Sequence, residues 1–121
     1  MLKGSTVLVT GATGSFGKAF IKKILSTTNV KKVIAFSRDE LKQFEFQNEV
    51  IDSRLQFFLG DVRDYQRLLQ IMRGVDFVIH AAAMKQIPAS EINPIEAIKT
   101  NIIGAENIVS ASIQSGVKKI I

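Results

Sequence analysis

Short apolar runs alternate along this chain with stretches in which apolar residues recur every three or four positions. The runs Thr6-Val7-Leu8-Val9, Lys32-Val33-Ile34-Ala35-Phe36, Leu55-Gln56-Phe57-Phe58-Leu59 and Asp76-Phe77-Val78-Ile79-His80 predict strands, and Val117-Lys118-Lys119-Ile120-Ile121 begins a fifth. Their near-continuous apolar character suits parallel strands buried on both faces. Between them, Phe16, Ala19, Phe20, Ile24 and Leu25 repeat with a helical period, so a helix is predicted from Ser15 to about Thr28. A second helix is predicted from Asp39 to Asp52, capped by Ser37 or Asp39, and a short third from Tyr65 to Met72, capped by Asp64. A loop with Pro88 and Pro94 leads into a long helix from Pro94 to Ser115, ended by Gly116. Strands alternating with helices predict one α/β domain with a doubly wound parallel sheet, order 3-2-1-4-5. That order puts a ligand crevice at the carboxyl ends of the first and fourth strands.

Both of those ends carry unusual residues. The first strand runs into Thr10-Gly11-Ala12-Thr13-Gly14-Ser15-Phe16-Gly17. Glycines suit a turn that needs unusual φ values and lets backbone approach a ligand. The free N–H groups at the start of the following helix, with its dipole, suit a pyrophosphate. The spacing is G-x-x-G-x-x-G, a departure from the common G-x-G-x-x-G dinucleotide fingerprint. The fourth strand opens into Ala81-Ala82-Ala83, small residues suited either to a chain passing under a cofactor or to close packing. His80 is the only histidine and no ligand cluster has metal spacing, so it reads as a satisfied structural residue.

Composition narrows the possibilities. The 121 residues are 46% hydrophobic and 22% charged, ordinary for a globular domain. Cysteine is absent, which excludes disulfides, thiolate metal sites and a cysteine nucleophile. No apolar run reaches the roughly 20 residues of a membrane span, and Met1-Leu2-Lys3-Gly4 runs straight into the first strand, so no signal peptide and a cytoplasmic location are expected. The net charge of +5 comes from dispersed pairs such as Lys22-Lys23, Lys31-Lys32 and Lys118-Lys119, without interleaved aromatics; no nucleic-acid partner is expected.

The end of the second strand bears on which dinucleotide would bind. An acid there binds the 2′-hydroxyl of NAD and repels a 2′-phosphate. Here the residues are Ser37, Arg38 and Asp39, with Lys42 one turn further on. Ser37 can hydrogen-bond a phosphate, and Arg38 can pair with it and cover the adenine face, which favours NADP. Asp39 is the counter-argument, as a displaced ribose acid that would favour NAD. Asp61, at the end of the third strand, can accept from the adenine amino group or serve as a turn residue.

These segments resemble a known family. The 10–17 turn, Gly60-Asp61-Val62-Arg63-Asp64 and His80-Ala81-Ala82-Ala83 are similar to the extended short-chain dehydrogenases/reductases. Ala82-Ala83-Met84-Lys85-Gln86-Ile87-Pro88, then Glu91, Asn93-Pro94, Glu96 and Lys99-Thr100-Asn101-Ile102-Ile103-Gly104, resemble its polysaccharide-biosynthesis branch, which includes UDP-N-acetylglucosamine 4,6-dehydratases, some of them C5-inverting. The resemblance implies a Rossmann fold and a lyase in which NADP+ takes a hydride from C4, water leaves across C5 and C6, and the hydride returns to C6. It implies that Gly11, Thr13, Gly14, Ser15, Phe16 and Gly17 hold the pyrophosphate and that Ser37 and Arg38, with Asp39 and Lys42 near, hold the adenosine phosphate. It implies further that Asp61 and Val62 flank adenine, that Ala81, Ala82 and Ala83 pass beneath the ribose linkage, and that Lys85 and Asn101 lie near the nicotinamide ribose and the UDP-sugar.

The catalytic Tyr-x-x-x-Lys of that superfamily has no counterpart here: Tyr65 is the one tyrosine, with Leu69 four positions on. The expectation is the cofactor-binding portion of a dehydratase, with no catalytic residue in this chain and no turnover by itself. A strand edge left open after Ile121 predicts self-association into a homo-oligomer. A non-catalytic NADP-binding or redox-sensing module is the alternative function. An interaction protein that has lost its ligand is disfavoured by the intact glycines.

Overall fold

In a computed structural model, residues 2–82 and 94–121 are described. Strands β1 (Thr6–Thr10), β2 (Lys32–Ser37), β3 (Leu55–Leu59), β4 (Phe77–His80) and β5 (Lys119–Ile120) form one parallel sheet in the order β3-β2-β1-β4-β5. This is the predicted order, with the direction of winding reversing between β1 and β4. Helices α1 (Ser15–Thr27), α2 (Glu40–Glu49), α3 (Tyr65–Ile71) and α4 (Pro94–Ser115) alternate with the strands.

The period of two along each strand divides the core. Val7, Val9, Val33 and Ala35 join Ile21, Ile24 and Leu25 of α1 and Phe46 of α2 on one face. Leu8, Ile34, Phe36 and Val78 join Leu68 and Ile71 of α3 and Ile108 and Ala111 of α4 on the other. Alternate residues of one strand therefore serve opposite layers, which is why β1 and β2 read as continuous apolar runs.

Two boundaries differ from expectation by more than one residue. α2 stops at Glu49, with Val50 already extended (φ −126°), three residues short of Asp52. Asp52 instead accepts from the Arg54 backbone N–H and guanidinium, and that guanidinium also donates to the Leu25 and Thr28 carbonyls at the end of α1. A carboxylate taken up in this turn is better satisfied there than as a last helical residue. β5 is shorter than predicted, because pairing with β4 begins only at Lys119. The caps on α2 and α3 are Asp39, accepting from the Lys42 N–H, and Asp64, accepting from the Arg67 N–H.

Candidate functional site

In the parallel register Thr10 lies opposite both Phe36 and His80, so the carboxyl ends of β1, β2 and β4 are level. A cleft of about 740 Å³ opens there. Its floor is the turn after β1: Gly11, Thr13, Gly14, Ser15, Phe16 and Gly17 all line it. One wall is the end of β2, Ser37 and Arg38, with Asp39 and Lys42 at the start of α2; Asp61 and Val62 close that end. Ala81, Ala82 and Asn101 form the opposite side. Ala83 and Lys85 lie outside the described residues.

The three glycines have different reasons to be glycine. Gly11 has φ +63°, and a Cβ there would stand 2.6 Å from the Ala81 carbonyl carbon, so backbone crosses backbone at the switch point. A Cβ on Gly17 would collide with the Gly11 carbonyl oxygen. A Cβ on Gly14 would meet only the Gly11 oxygen, at 3.4 Å, and would otherwise project into open space. The first and third pack the turn; the middle one keeps its mouth clear.

The mouth suits an anion. Gly14 is the N-cap of α1, no side chain caps the helix, and its first turn holds no acid. The first-turn N–H groups of a helix have no intrahelical acceptor, and the dipole adds partial positive charge. A diphosphate supplies what those donors lack, so the residues present fit a dinucleotide.

At the end of the cleft formed by β2 and β3 the charges are arranged in a chain. Asp61 accepts 2.7 and 3.1 Å hydrogen bonds from Arg63, and one Arg38 guanidinium nitrogen is 3.7 Å from the same carboxylate. The Arg63 hydrogen bonds, aided by the charge of Arg38, hold the Asp61 carboxyl below its ordinary range despite partial burial. Arg38 is more than half exposed, its guanidinium lying over the end of the cleft. Asp39 faces its own helix as a cap, while Ser37 is buried and receives the Gln43 side-chain amide.

Three supporting features were not anticipated. Phe36 and Gly60 also line the cleft, and a Cβ on Gly60 would press on the Phe36 ring. The Asn107 side chain donates 3.0 Å bonds to the Val62 and Arg63 carbonyls, fixing the β3–α3 connection against α4. Gly104 lets α4 lie against Val62. A glycine inside a strong helical pattern was the signal in the sequence for that close approach.

Comparison with known proteins agrees with this geometry. Residues 7–121 match the model of a family described as polysaccharide biosynthesis protein. Over the whole chain the sequence is 53% identical to a UDP-N-acetylglucosamine 4,6-dehydratase (inverting) of Campylobacter jejuni strain 81-176, and 46% identical to a UDP-glucose 4-epimerase of Rickettsia prowazekii. In both cases the chain spans 36% of the relative's length. The fold superposes with a TM-score of 0.83 and 26% identity on the dTDP-glucose 4,6-dehydratase DesIV of Streptomyces venezuelae, solved with NAD and TYD bound, covering 95% of this chain and 38% of that one. The open glycine turn, the β3-β2-β1-β4-β5 sheet and the matched residues make this chain a member of the polysaccharide-biosynthesis family of extended short-chain dehydrogenases/reductases.

Proposed function

We propose that this chain forms the cofactor-binding part of a nucleotide-sugar 4,6-dehydratase that converts UDP-N-acetylglucosamine to a 4-keto-6-deoxy sugar, with NADP as the cofactor. The observation that carries the reading is the uncapped, acid-free start of α1 facing a cleft whose far end bears Arg38 and Lys42. The cofactor supplies a hydride acceptor and donor; the chain's own residues bind and orient it. The N–H groups of Ser15 and Phe16 hold the diphosphate, with Gly14 leaving room for it. Arg38 and Lys42 pair with the adenosine phosphate, and Val62 flanks the adenine. Ala81 and Ala82 pass beside the ribose, and Asn101 lies toward the sugar nucleotide; Ala83 and Lys85 are assigned to the same region by the family resemblance alone.

In this reading the described residues that line the cleft bind the cofactor, and none of them is the acid or base that acts on the sugar. Tyr65, the one tyrosine, packs against the α3 and α4 side of the core. In this reading residues 1–121, which span 36% of the length of the relatives, are a cofactor-binding part, cytoplasmic and self-associating, that turns over sugar only together with a tyrosine-bearing segment. The 46% identity to an epimerase favours a second reading in which the same cofactor site serves C4 inversion without loss of water.

Titration with NADPH, followed by nicotinamide fluorescence in a protein without tryptophan, tests the binding half of the proposal. Saturable binding that NADP+ displaces more readily than NAD+ supports it; folded protein indifferent to both cofactors removes it. Incubating UDP-N-acetylglucosamine with the protein and its tyrosine-bearing segment, and identifying the sugar by mass, decides between water loss and epimerisation.

A further inference from the structure

Gln43 is a buried polar residue of α2. Its side-chain nitrogen lies 2.8 Å from the Phe58 carbonyl oxygen, 3.4 Å from the Ser37 carbonyl oxygen and 2.9 Å from Ser37 Oγ. Carbonyl oxygens only accept, so the group facing them is the NH2 end of the amide. That end also donates to Ser37 Oγ, which leaves the serine's own proton to be donated elsewhere. Ser37 lines the cleft beside Arg38.

We propose that Gln43 is a positioning residue for cofactor choice: it fixes the Ser37 hydroxyl as a hydrogen-bond donor toward the cleft, and so favours a phosphate over a hydroxyl on the adenosine ribose. Phosphate oxygens only accept, so a serine held as donor matches them fully. A ribose hydroxyl both donates and accepts, and gains less from a donor held one way. The Phe58 carbonyl belongs to β3 and the Ser37 carbonyl to β2, so one buried amide joins the two strand ends that carry Arg38 and Asp61. This inference rests on the cofactor reading above and adds to it a residue that does not line the cleft.

The test measures NADP+ and NAD+ affinities by calorimetry for the wild type, Ser37→Ala, Gln43→Met and the double variant, with melting curves to establish folding. Ser37→Ala is expected to weaken NADP+ roughly tenfold, the value of one hydrogen bond to a charged acceptor, and to leave NAD+ nearly unchanged. Gln43→Met is expected to lower the NADP+/NAD+ preference several-fold, and the double variant to lose no more than Ser37→Ala, because the two act through one hydroxyl. Gln43→Asn, whose shorter side chain cannot hold the Ser37 hydroxyl in the same way, takes the place of Gln43→Met where that variant fails to fold. Folded Gln43 variants that keep the wild-type preference, or single effects that multiply in the double variant, overturn the inference and leave the cofactor reading standing. A wild type that binds neither dinucleotide overturns both.

Discussion

Thr10 Oγ1 lies 2.7 Å from His80 Nδ1, joining the carboxyl ends of β1 and β4 across the switch point of the sheet. The same oxygen accepts from the backbone N–H groups of Ala81 and Ala82, at 3.1 and 3.2 Å. With two donors already on it, the hydroxyl gives its own proton to the ring; this assigns Nδ1 as acceptor and puts the imidazole proton on Nε2. One threonine thus holds both the floor of the cleft and the tautomer of the histidine.

That arrangement makes stability depend on pH. Burial lowers the His80 pKa from its ordinary 6.5. Between the folded value and 6.5 the unfolded chain binds more protons than the folded one, so stability rises with pH in that window. The contribution is complete above 6.5 and declines as pH falls toward the folded pKa. Thermal melts from pH 7 to pH 5 are expected to show a falling midpoint in the wild type. His80→Gln keeps an acceptor for Thr10 but does not titrate, and should flatten that fall; an unchanged slope would assign the pH dependence to other groups.

Gly11 and Gly14 are expected to respond differently to the same methyl group. Gly11→Ala puts a side chain at φ +63° and within 2.6 Å of the Ala81 backbone, which cannot retreat without moving β4. A loss of about 2–4 kcal/mol in unfolding free energy is expected, combining strain with overpacking. Gly14→Ala meets one oxygen at ordinary contact distance, so its cost should stay within the roughly 1 kcal/mol by which alanine caps a helix less well than glycine. Its methyl group stands in the mouth where the diphosphate is proposed to sit, so dinucleotide affinity should fall tenfold or more. Denaturant unfolding and calorimetry on the two variants separate the packing role from the binding role.

Asp39 and Arg38 are neighbours with opposite expected effects. Asp39 caps α2, so Asp39→Ala should cost about 1 kcal/mol of stability. With its carboxylate turned to its own helix, its removal should leave NAD+ affinity unchanged and raise NADP+ affinity slightly by taking away a negative charge. Arg38→Ala should leave stability nearly intact, its side chain being 57% exposed, and abolish most of the preference for NADP+. Loss of NAD+ binding in Asp39→Ala would instead identify that carboxylate as the ribose acid.

How much of this was legible in the sequence follows from which interactions are local. The strands, the helix periods and the Asp64 cap depend on neighbours within a few positions, and they were readable; for α2 both Ser37 and Asp39 remained open as caps. The glycine turn could be read as a candidate phosphate loop, but not that Gly11 crosses Ala81, 70 positions away, because that contact exists only after β1 and β4 pair. Thr10 was read as the first residue of the glycine turn; that it ends β1 and clamps His80 was not legible. Ser37 was read as a candidate phosphate ligand; its buried partner Gln43 was hidden, since a glutamine in a polar helix ordinarily faces water. The end of α2 was set too late because Asp52 is claimed by Arg54, a competition that helical periodicity does not register.

Gly104 offers a test of the contact that holds the Val62 side of the cleft. An alanine inside a helix is ordinarily about 1 kcal/mol better than glycine. Here the added Cβ would stand 2.6 Å from Val62 Cγ2, and Val62 lines the cleft on a connection that Asn107 fastens to α4. The valine must rotate or the helix must withdraw, and overpacking of this kind costs about 1–3 kcal/mol. Gly104→Ala alone is therefore expected to be destabilising, with weakened dinucleotide binding as Val62 is pushed into the cleft. In a Val62→Ala background the collision disappears and only the helix preference remains, so the same substitution should become neutral or stabilising. Denaturant unfolding of the four proteins in this cycle measures the coupling directly; additive effects would mean that α4 and Val62 are not in contact as the structure places them.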